Sequence, residues 1–105
     1  MDKRHTEGQI CEIILEEYLL KLGMYVFRPN AAQGPVDVVA IDPEGGIYLF
    51  DAKKDAERVN PGRTKPARIY RVLSPVQRLL GVRMAYVDLD TREVCIVPPL
   101  PELEK

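Results

Sequence analysis

The stretch that decides the fold runs from residue 34 to residue 53 and reads GPVDVVAIDPEGGIYLFDAK. Two runs of apolar, β-branched and aromatic residues flank the turn sequence DPEGG, and this pattern predicts a β-hairpin. Asp37 and Asp51 lie inside the two predicted strands, and Lys53 follows two residues after Asp51. A charged group is costly to bury unless it is paired or binds a metal. The pattern therefore predicts a metal site built on a sheet.

The pattern around this hairpin predicts a single α/β domain over residues 1–105. Apolar residues at helical spacing predict a helix over about residues 7–22, with Thr6 and Gln9 as a capping box and Gly23 as the C-terminal cap. The near-continuous apolar character of the hairpin strands predicts a sheet covered on both faces. The other predicted elements, in chain order, are a strand near 24–28, the hairpin strands near 36–41 and 47–52, a loop or partly helical segment over 54–73, a short helix from the capping box of Ser74 and Gln77 to about Leu80, strands over 83–89 and 93–97, and an extended proline-rich tail over 98–105.

The formal net charge of −1 conceals an uneven distribution along the chain. Residues 51–83 hold nine Lys or Arg and three Asp or Glu, a local charge of +6. Such a block favours a polyanionic partner, although a solvated loop is the simpler alternative, and plain exposure is the preferred interpretation of Lys54. The candidates for sequence-independent phosphate contacts are Lys54, Arg58, Arg63, Lys65, Arg68 and Arg71.

Several classes of protein are disfavoured by the composition. No segment approaches the ~20 continuous apolar residues of a membrane span, and no apolar region follows the N-terminus as in a secretory signal. We therefore expect a cytoplasmic protein without membrane contact. Cys11 and Cys95 lack the spacing of a zinc site and are expected to be buried thiols, while His5 is expected at a frayed terminus.

The two aspartates and the lysine suit phosphodiester hydrolysis. Mg²⁺ takes hard oxygen ligands and supplies charge neutralisation, with Mn²⁺ as its substitute, and Asp37 and Asp51 would be direct ligands. Lys53 shares a strand face with Asp51, where it would orient or deprotonate the attacking water or stabilise the developing charge. Glu12 in the first helix would complete the site through a second metal or a metal-bound water.

Each of these assignments has a plainer alternative. Asp37 would also suit a strand edge where its carboxylate accepts from backbone amides. Asp51 and Lys53 would also form a simple ion pair, worth roughly 0–1 kcal/mol if exposed. Glu12 would also be a solvated residue among the other glutamates of its helix. Gln77 has two equally supported roles, one as the capping-box glutamine alone and one beside the metal or the DNA.

Glu12, Asp37 and the triplet Asp51-x-Lys53 together resemble the PD-(D/E)XK nuclease superfamily. The order of predicted elements resembles the restriction-endonuclease-like αβββαβ core of that superfamily, a mixed central sheet flanked by helices. The stretch from residue 8 to Lys53 looks most like the small archaeal-type Holliday junction resolvases, whereas Ser74-x-x-Gln77 looks like the virus-type replication-repair nucleases. One departure is Val36, which occupies the position where the superfamily name expects proline.

The resemblance implies a Mg²⁺-dependent endonuclease that acts on DNA by structure rather than by sequence, on branched or repair intermediates such as Holliday junctions. It also implies the backbone carbonyl of Ala52 as a third metal ligand, and a homodimer for which the apolar, proline-rich tail is one candidate contact. The alternative hypothesis is a non-catalytic DNA-binding or assembly module that keeps the nuclease fold. An RNA substrate is a third possibility.

Overall fold

The computed structural model of the chain describes residues 3–30, 34–59 and 61–101. Its elements, in chain order, are helix α1 (Lys3–Lys21), strands β1 (Tyr25–Phe27), β2 (Val38–Ile41), β3 (Ile47–Lys54), β4 (Glu57–Val59) and β5 (Pro66–Arg68), helix α2 (Pro75–Leu80), and strands β6 (Val82–Val87) and β7 (Val94–Val97). The predicted order of helix, three strands, helix and two strands is confirmed, with one additional pair of strands before α2.

Five strands form one mixed sheet in the order β1-β2-β3-β6-β7. The β3–β6 pair is parallel and the other neighbours are antiparallel. The predicted hairpin is confirmed as β2–β3, in which Val38 faces Phe50 across the ladder. Parallel neighbours need a crossover connection, and the segment between β3 and β6, which includes α2, supplies it. The expected fold class, a mixed sheet flanked by helices, is therefore confirmed.

Helix α1 covers one face of the sheet. Its buried residues Cys11, Leu15 and Leu19 belong to one apolar cluster with Phe50 and Ala85 from the central strands. Because side chains alternate along a strand, Asp51 lies on the opposite face from Phe50. Within the described residues, no helix is both long and apolar enough to cross a bilayer.

The C-terminal end of α1 agrees with the prediction, whereas its N-terminal end does not. Gly23 has φ of 86° and its N–H donates to the Leu20 carbonyl at 3.0 Å, while Met24 N–H donates to the Leu19 carbonyl at 3.2 Å. This is the expected left-handed cap. The predicted N-terminal cap at Thr6 is wrong, because α1 already includes Lys3. The spacing of Thr and Gln that suggests a capping box also occurs inside helices, where it carries no boundary.

Helix α2 follows its predicted boundaries. Ser74 Oγ accepts from Gln77 N–H at 3.1 Å, Gln77 Oε1 accepts from Ser74 N–H at 2.9 Å, and Pro75 occupies the first helical turn. Gly81 ends the helix with φ of 73°. The helix packs against β6. Since Gln77 reaches Asp51, α2 lies on the sheet face opposite α1.

The segment over 54–73 differs from the expected loop or partly helical excursion. β4 and β5 pair antiparallel and form a separate two-stranded sheet, which we call the basic hairpin (residues 57–59 and 61–68). Each strand has three residues, and nearly all of them are exposed. Strands this short and polar leave no alternating apolar pattern, which explains why the sequence did not predict them.

The C-terminal tail has no regular structure as far as Pro101, as expected, and residues 102–105 lie outside the described part. Leu100 packs against the apolar cluster of its own chain. Arg83 Nε donates to the Pro98 carbonyl at 3.2 Å. The tail is therefore bound intramolecularly, which weakens its candidacy as a contact to a second copy.

Candidate active site

Asp37 and Asp51 are neighbours across the β2–β3 hairpin, which we call the central hairpin. Asp37 N–H donates to the Phe50 carbonyl at 2.8 Å, so the β2–β3 ladder extends one residue beyond β2. That bond sets Asp37 beside Asp51 on the sheet face opposite α1. Asp51 is buried, with 8% of the residue exposed, and Asp37 is half-buried.

A backbone amide fixes the Asp37 carboxyl. Ala52 N–H donates to Asp37 Oδ2 at 2.9 Å. The N–H and C=O of one strand residue point to the same side of the strand. The Ala52 carbonyl is therefore directed toward the same edge as the Asp37 carboxyl. The Asp37 and Asp51 carboxyl groups and the Ala52 carbonyl are therefore close to one another in the sheet.

The pKa of Asp37 is raised from 3.8 to about 6. The largest cause is burial, which disfavours the charged carboxylate, and the second is the Asp51 carboxyl within hydrogen-bonding reach. The Ala52 amide acts in the opposite direction, and the charge of Glu12 adds to the increase. Two carboxyl groups held this closely repel when both are ionised, and a cation between them removes that repulsion.

Two side chains hold Asp51. Lys53 Nζ lies 3.5 Å from Asp51 Oδ1. Gln77 Nε2 donates to Asp51 Oδ2 at 2.8 Å and to the Pro35 carbonyl at 3.1 Å. Gln77 Oε1 completes the capping box with Ser74, while its Nε2 donates to Asp51, so Gln77 is more than a capping residue. Its role beside a metal or DNA stays a prediction.

Glu12 lies near the aspartates but is held by another partner. Glu12 Oε1 is 3.3 Å from Arg28 Nη1, and Arg28 Nε is 3.6 Å from Glu16 Oε1. A cleft of about 220 Å³ connects Glu12 to Asp37 and is lined by His5, Gln9, Glu12, Arg28, Pro29, Val36 and Asp37. Glu12 therefore faces the same cleft as Asp37 and acts on it electrostatically, while its own charge is balanced by Arg28.

The donor set is compatible with a hard divalent cation. Among the described residues, no group of three or more His, Cys, Asp or Glu side chains is placed to hold a metal. Mg²⁺ needs only one or two carboxylates because it keeps several waters. Asp37 and Asp51, with the Ala52 carbonyl beside them, meet that requirement. Glu12 would join them only if it left Arg28.

Four of the six predicted phosphate contacts are exposed on or beside the basic hairpin, and they are Arg58, Arg63, Lys65 and Arg71. Lys54, at the end of β3, pairs with Glu7 of α1, with 3.3 Å between Lys54 Nζ and Glu7 Oε2. Lys54 and the preceding residue, Lys53, point to opposite faces of β3. The preferred interpretation of Lys54 as an exposed lysine agrees with this position, since about half of its side chain is open to solvent.

Arg68 differs from the expectation of a phosphate contact. Its Nε and Nη2 donate to the two carboxylate oxygens of Asp55 at 2.9 and 3.2 Å, and its guanidinium lies over the rings of Tyr70 and Tyr86. Its Nη1 also donates to Cys95 Sγ at 3.1 Å. The half-buried Arg68 therefore anchors the basic hairpin to the sheet. Both cysteines are free thiols; Cys11 is buried as predicted, and Cys95 only half-buried.

Two residues that line the cleft, His5 and Arg28, are not predicted from the sequence. His5 was expected at a frayed terminus, but it lies in α1 and lines the cleft with Gln9 and Glu12. Their spacing of i, i+4 and i+7 was a usable signal, because such residues share one helix face. Arg28 could not be found this way, because its partner Glu12 is sixteen residues away in the chain.

Comparison with known proteins identifies a fold that this chain shares, but no family to which it belongs. No protein-family model matches the chain, and no curated protein matches its sequence. Among solved structures, the chain resembles the bacterial homing endonuclease I-Ssp6803I with a TM-score of 0.59 and 17% sequence identity. The similarity covers 90% of this chain and 68% of the endonuclease chain. At this identity the likeness establishes a shared fold.

Proposed function

We propose that this protein is a metal-dependent endonuclease of the PD-(D/E)XK type that hydrolyses phosphodiester bonds in DNA. The observation that carries the proposal is the pair formed by Asp37 and Asp51, with Lys53 Nζ 3.5 Å from Asp51 and Gln77 fixing its other oxygen. The fold shared with a protein described as a homing endonuclease supports the same class of chemistry.

Asp37, Asp51 and the Ala52 carbonyl would hold Mg²⁺, with Mn²⁺ as its substitute. Bound there, the ion would supply charge neutralisation at the phosphate and a more acidic water. In the reaction, a water oxygen forms a bond to phosphorus and the bond from phosphorus to the leaving oxygen breaks. The water gives up a proton, and the leaving oxygen gains one.

Lys53 is the residue placed to act on the reacting groups. It shares the face of Asp51, so its ammonium group can donate to the attacking water or to the negative charge that develops on the phosphate. Gln77 is a positioning residue, because its amide donates from α2 to the Asp51 carboxylate and fixes its orientation. Glu12 would contribute through a metal-bound water across the cleft, with Arg28 as its partner in the resting state.

The substrate we propose is DNA recognised by its structure, in particular branched or repair intermediates. The basic hairpin begins directly after β3 and supports this proposal, because its exposed cations can contact phosphates without reading bases. A homodimer is part of the proposal, since two cuts at a junction need two active sites.

The test is a cleavage assay of the purified chain on four-way junction, flap, single-stranded and duplex DNA, with Mg²⁺ or Mn²⁺. We expect metal-dependent cleavage with a preference for branched DNA, and a loss of at least about 10³-fold in Asp51→Asn, since metal ligation contributes several kcal/mol. Asp90→Asn, an exposed aspartate outside the cleft, is the matched control. Cleavage that persists in Asp51→Asn or in excess chelator would contradict the mechanism.

A non-catalytic DNA-binding module is the second candidate, supported by the pairing of Glu12 with Arg28. It requires DNA binding without hydrolysis and no saturable binding of Mg²⁺. Calorimetric titration of the metal into the wild-type chain, beside the cleavage assay, distinguishes the two candidates.

A further inference from the structure

The sheet face that holds the aspartates also holds a group of apolar side chains. Cross-strand partners in an antiparallel sheet share a face, and the register of β1, β2 and β3 defines two such rows. We call these six residues the apolar platform, and they are Tyr25, Ile41 and Ile47 in one row and Phe27, Val39 and Leu49 in the other.

The platform is open to solvent. Tyr25, Phe27 and Ile47 are 63%, 52% and 64% exposed. In the parts of the chain that the structure describes, α1 packs on the opposite face and α2 packs against β6, so neither covers the platform. The largest exposed apolar patch on a typical monomeric protein is about 300–600 Å² and is often functional.

We propose that a second copy of this chain covers the platform, by a two-fold contact in which the same six residues meet. Taking roughly 200 Å² for a large side chain, the three most exposed residues alone present about 350 Å² of apolar surface per copy. Two copies then bury about 700 Å². Since homodimer interfaces are about 65% apolar, the whole contact would bury roughly 1,100 Å², slightly above the ~1,000 Å² that a specific interface needs.

The chemistry of the rows favours a protein partner over nucleic acid. Four of the six side chains are aliphatic, and neither row contains a charged residue. Unpaired bases bind on aromatic rings accompanied by Lys or Arg that contact the backbone. The exposed cations Arg58, Arg63 and Lys65 lie instead on the basic hairpin, beyond the other side of the aspartate pair. An apolar face without charge is complementary to a copy of itself in a two-fold contact.

The platform is continuous with the candidate active site. Asp37 precedes Val39 by two residues and Asp51 follows Leu49 by two, so the aspartates form the next row, about 7 Å along the strands. A dimer on this face would therefore bring two aspartate pairs to one interface. That consequence rests on the proposed function, whereas the contact itself does not.

The experiment is sedimentation equilibrium of the full chain and of single variants across micromolar concentrations. We expect a wild-type dimer whose dissociation constant rises at least about 100-fold in Ile47→Lys, because a lysine would be desolvated in an apolar contact. Leu20→Lys is the matched control, since Leu20 on α1 is 56% exposed and lies outside the platform. Circular dichroism checks folding, and Tyr25→Lys replaces Ile47→Lys if that variant does not fold.

A mixing experiment distinguishes a residue in the dimer contact from one that only supports the fold, because its readout is heterodimer formation. Ile47→Lys and Ile47→Glu, each monomeric alone, are expected to form a heterodimer when combined, because opposite charges then meet across the contact. A monomeric wild type, or a dimer that survives both Ile47→Lys and Phe27→Lys, would overturn the proposal. So would a monomer that loses single-stranded DNA binding in Phe27→Lys, because the platform would then bind bases. Dimers that never cleave DNA would support the platform and contradict the proposed function.

Discussion

Two hairpins follow one another along the chain, and they are built in opposite ways. The central hairpin, β2–β3, lies inside the sheet, where backbone and side-chain donors fix both aspartate carboxyls. The basic hairpin lies outside it and is anchored mainly at its base, through Arg68 and Asp55. Groups that must meet a reacting atom within a fraction of an ångström need the rigid setting, whereas cations that follow a phosphate backbone of variable shape do not.

After the metal ligands, the largest effect on cleavage is expected at Lys53, near the end of β3. Lys53→Met is expected to lower the cleavage rate by about 10²–10⁴-fold, because it removes a donor or base at the reacting groups. Lys54→Met is the matched control, since Lys54 faces α1 and pairs with Glu7. Single-turnover rates with bound DNA measure both. Equal losses in the two variants would show that the effect is one of general charge and not of position.

A smaller effect is expected where α2 meets the central hairpin. Gln77→Leu removes the donor to Asp51 and is expected to lower cleavage by about 10–100-fold, as for other residues that orient metal ligands. Ser74→Ala removes only the cap and is expected to cost about 1 kcal/mol of stability without changing the rate at saturating metal. Rates and urea denaturation are measured on both variants. A rate loss as large in Ser74→Ala would contradict the positioning role.

The basic hairpin is expected to affect binding and leave the chemical step unchanged. The double variant Arg63→Ala and Lys65→Ala is expected to reduce the slope of log affinity against log salt by about 1–2, equally for duplex and branched DNA. Arg68→Ala is expected instead to lower stability by about 1–3 kcal/mol, since it leaves Asp55 half-buried without its partner. A salt slope that changes in Arg68→Ala and stays constant in the double variant would reverse these assignments.

The smallest expected effect concerns the pH dependence of the metal-free protein. The pKa of Asp37 is about 6 in the fold, above its ordinary value, so the folded state binds this proton more tightly than the unfolded state. Stability from this group is therefore present at low pH and is lost as the pH rises through about 4 to 6. Asp37→Asn is expected to stabilise the chain by about 1–2 kcal/mol near pH 7 and by nothing below about pH 4. Urea denaturation in the presence of chelator measures the difference in unfolding free energy between Asp37→Asn and the wild type. A difference that does not change with pH would contradict the prediction.

The sequence predicted what local pattern determines and missed what distant contacts determine. The central hairpin and the capping box at Ser74 follow from residues close in the chain, so both were found. The pairing of Glu12 with Arg28 joins distant segments, and so does the anchoring of Arg68 on Asp55. Neither contact leaves a periodic pattern in the sequence. The expectation of a sheet covered on both faces was only half right, because α2 packs against β6 and leaves the apolar platform open.

The most direct test of the central claim is a crystal structure of the chain soaked in Mn²⁺, with anomalous scattering to locate the ion. We expect one ion between the Asp37 and Asp51 carboxylates, with the Ala52 carbonyl among its ligands and oxygen distances of about 2.0–2.3 Å, near those of Mg²⁺. An ion bound only elsewhere, with none between the Asp37 and Asp51 carboxyl groups, would contradict it.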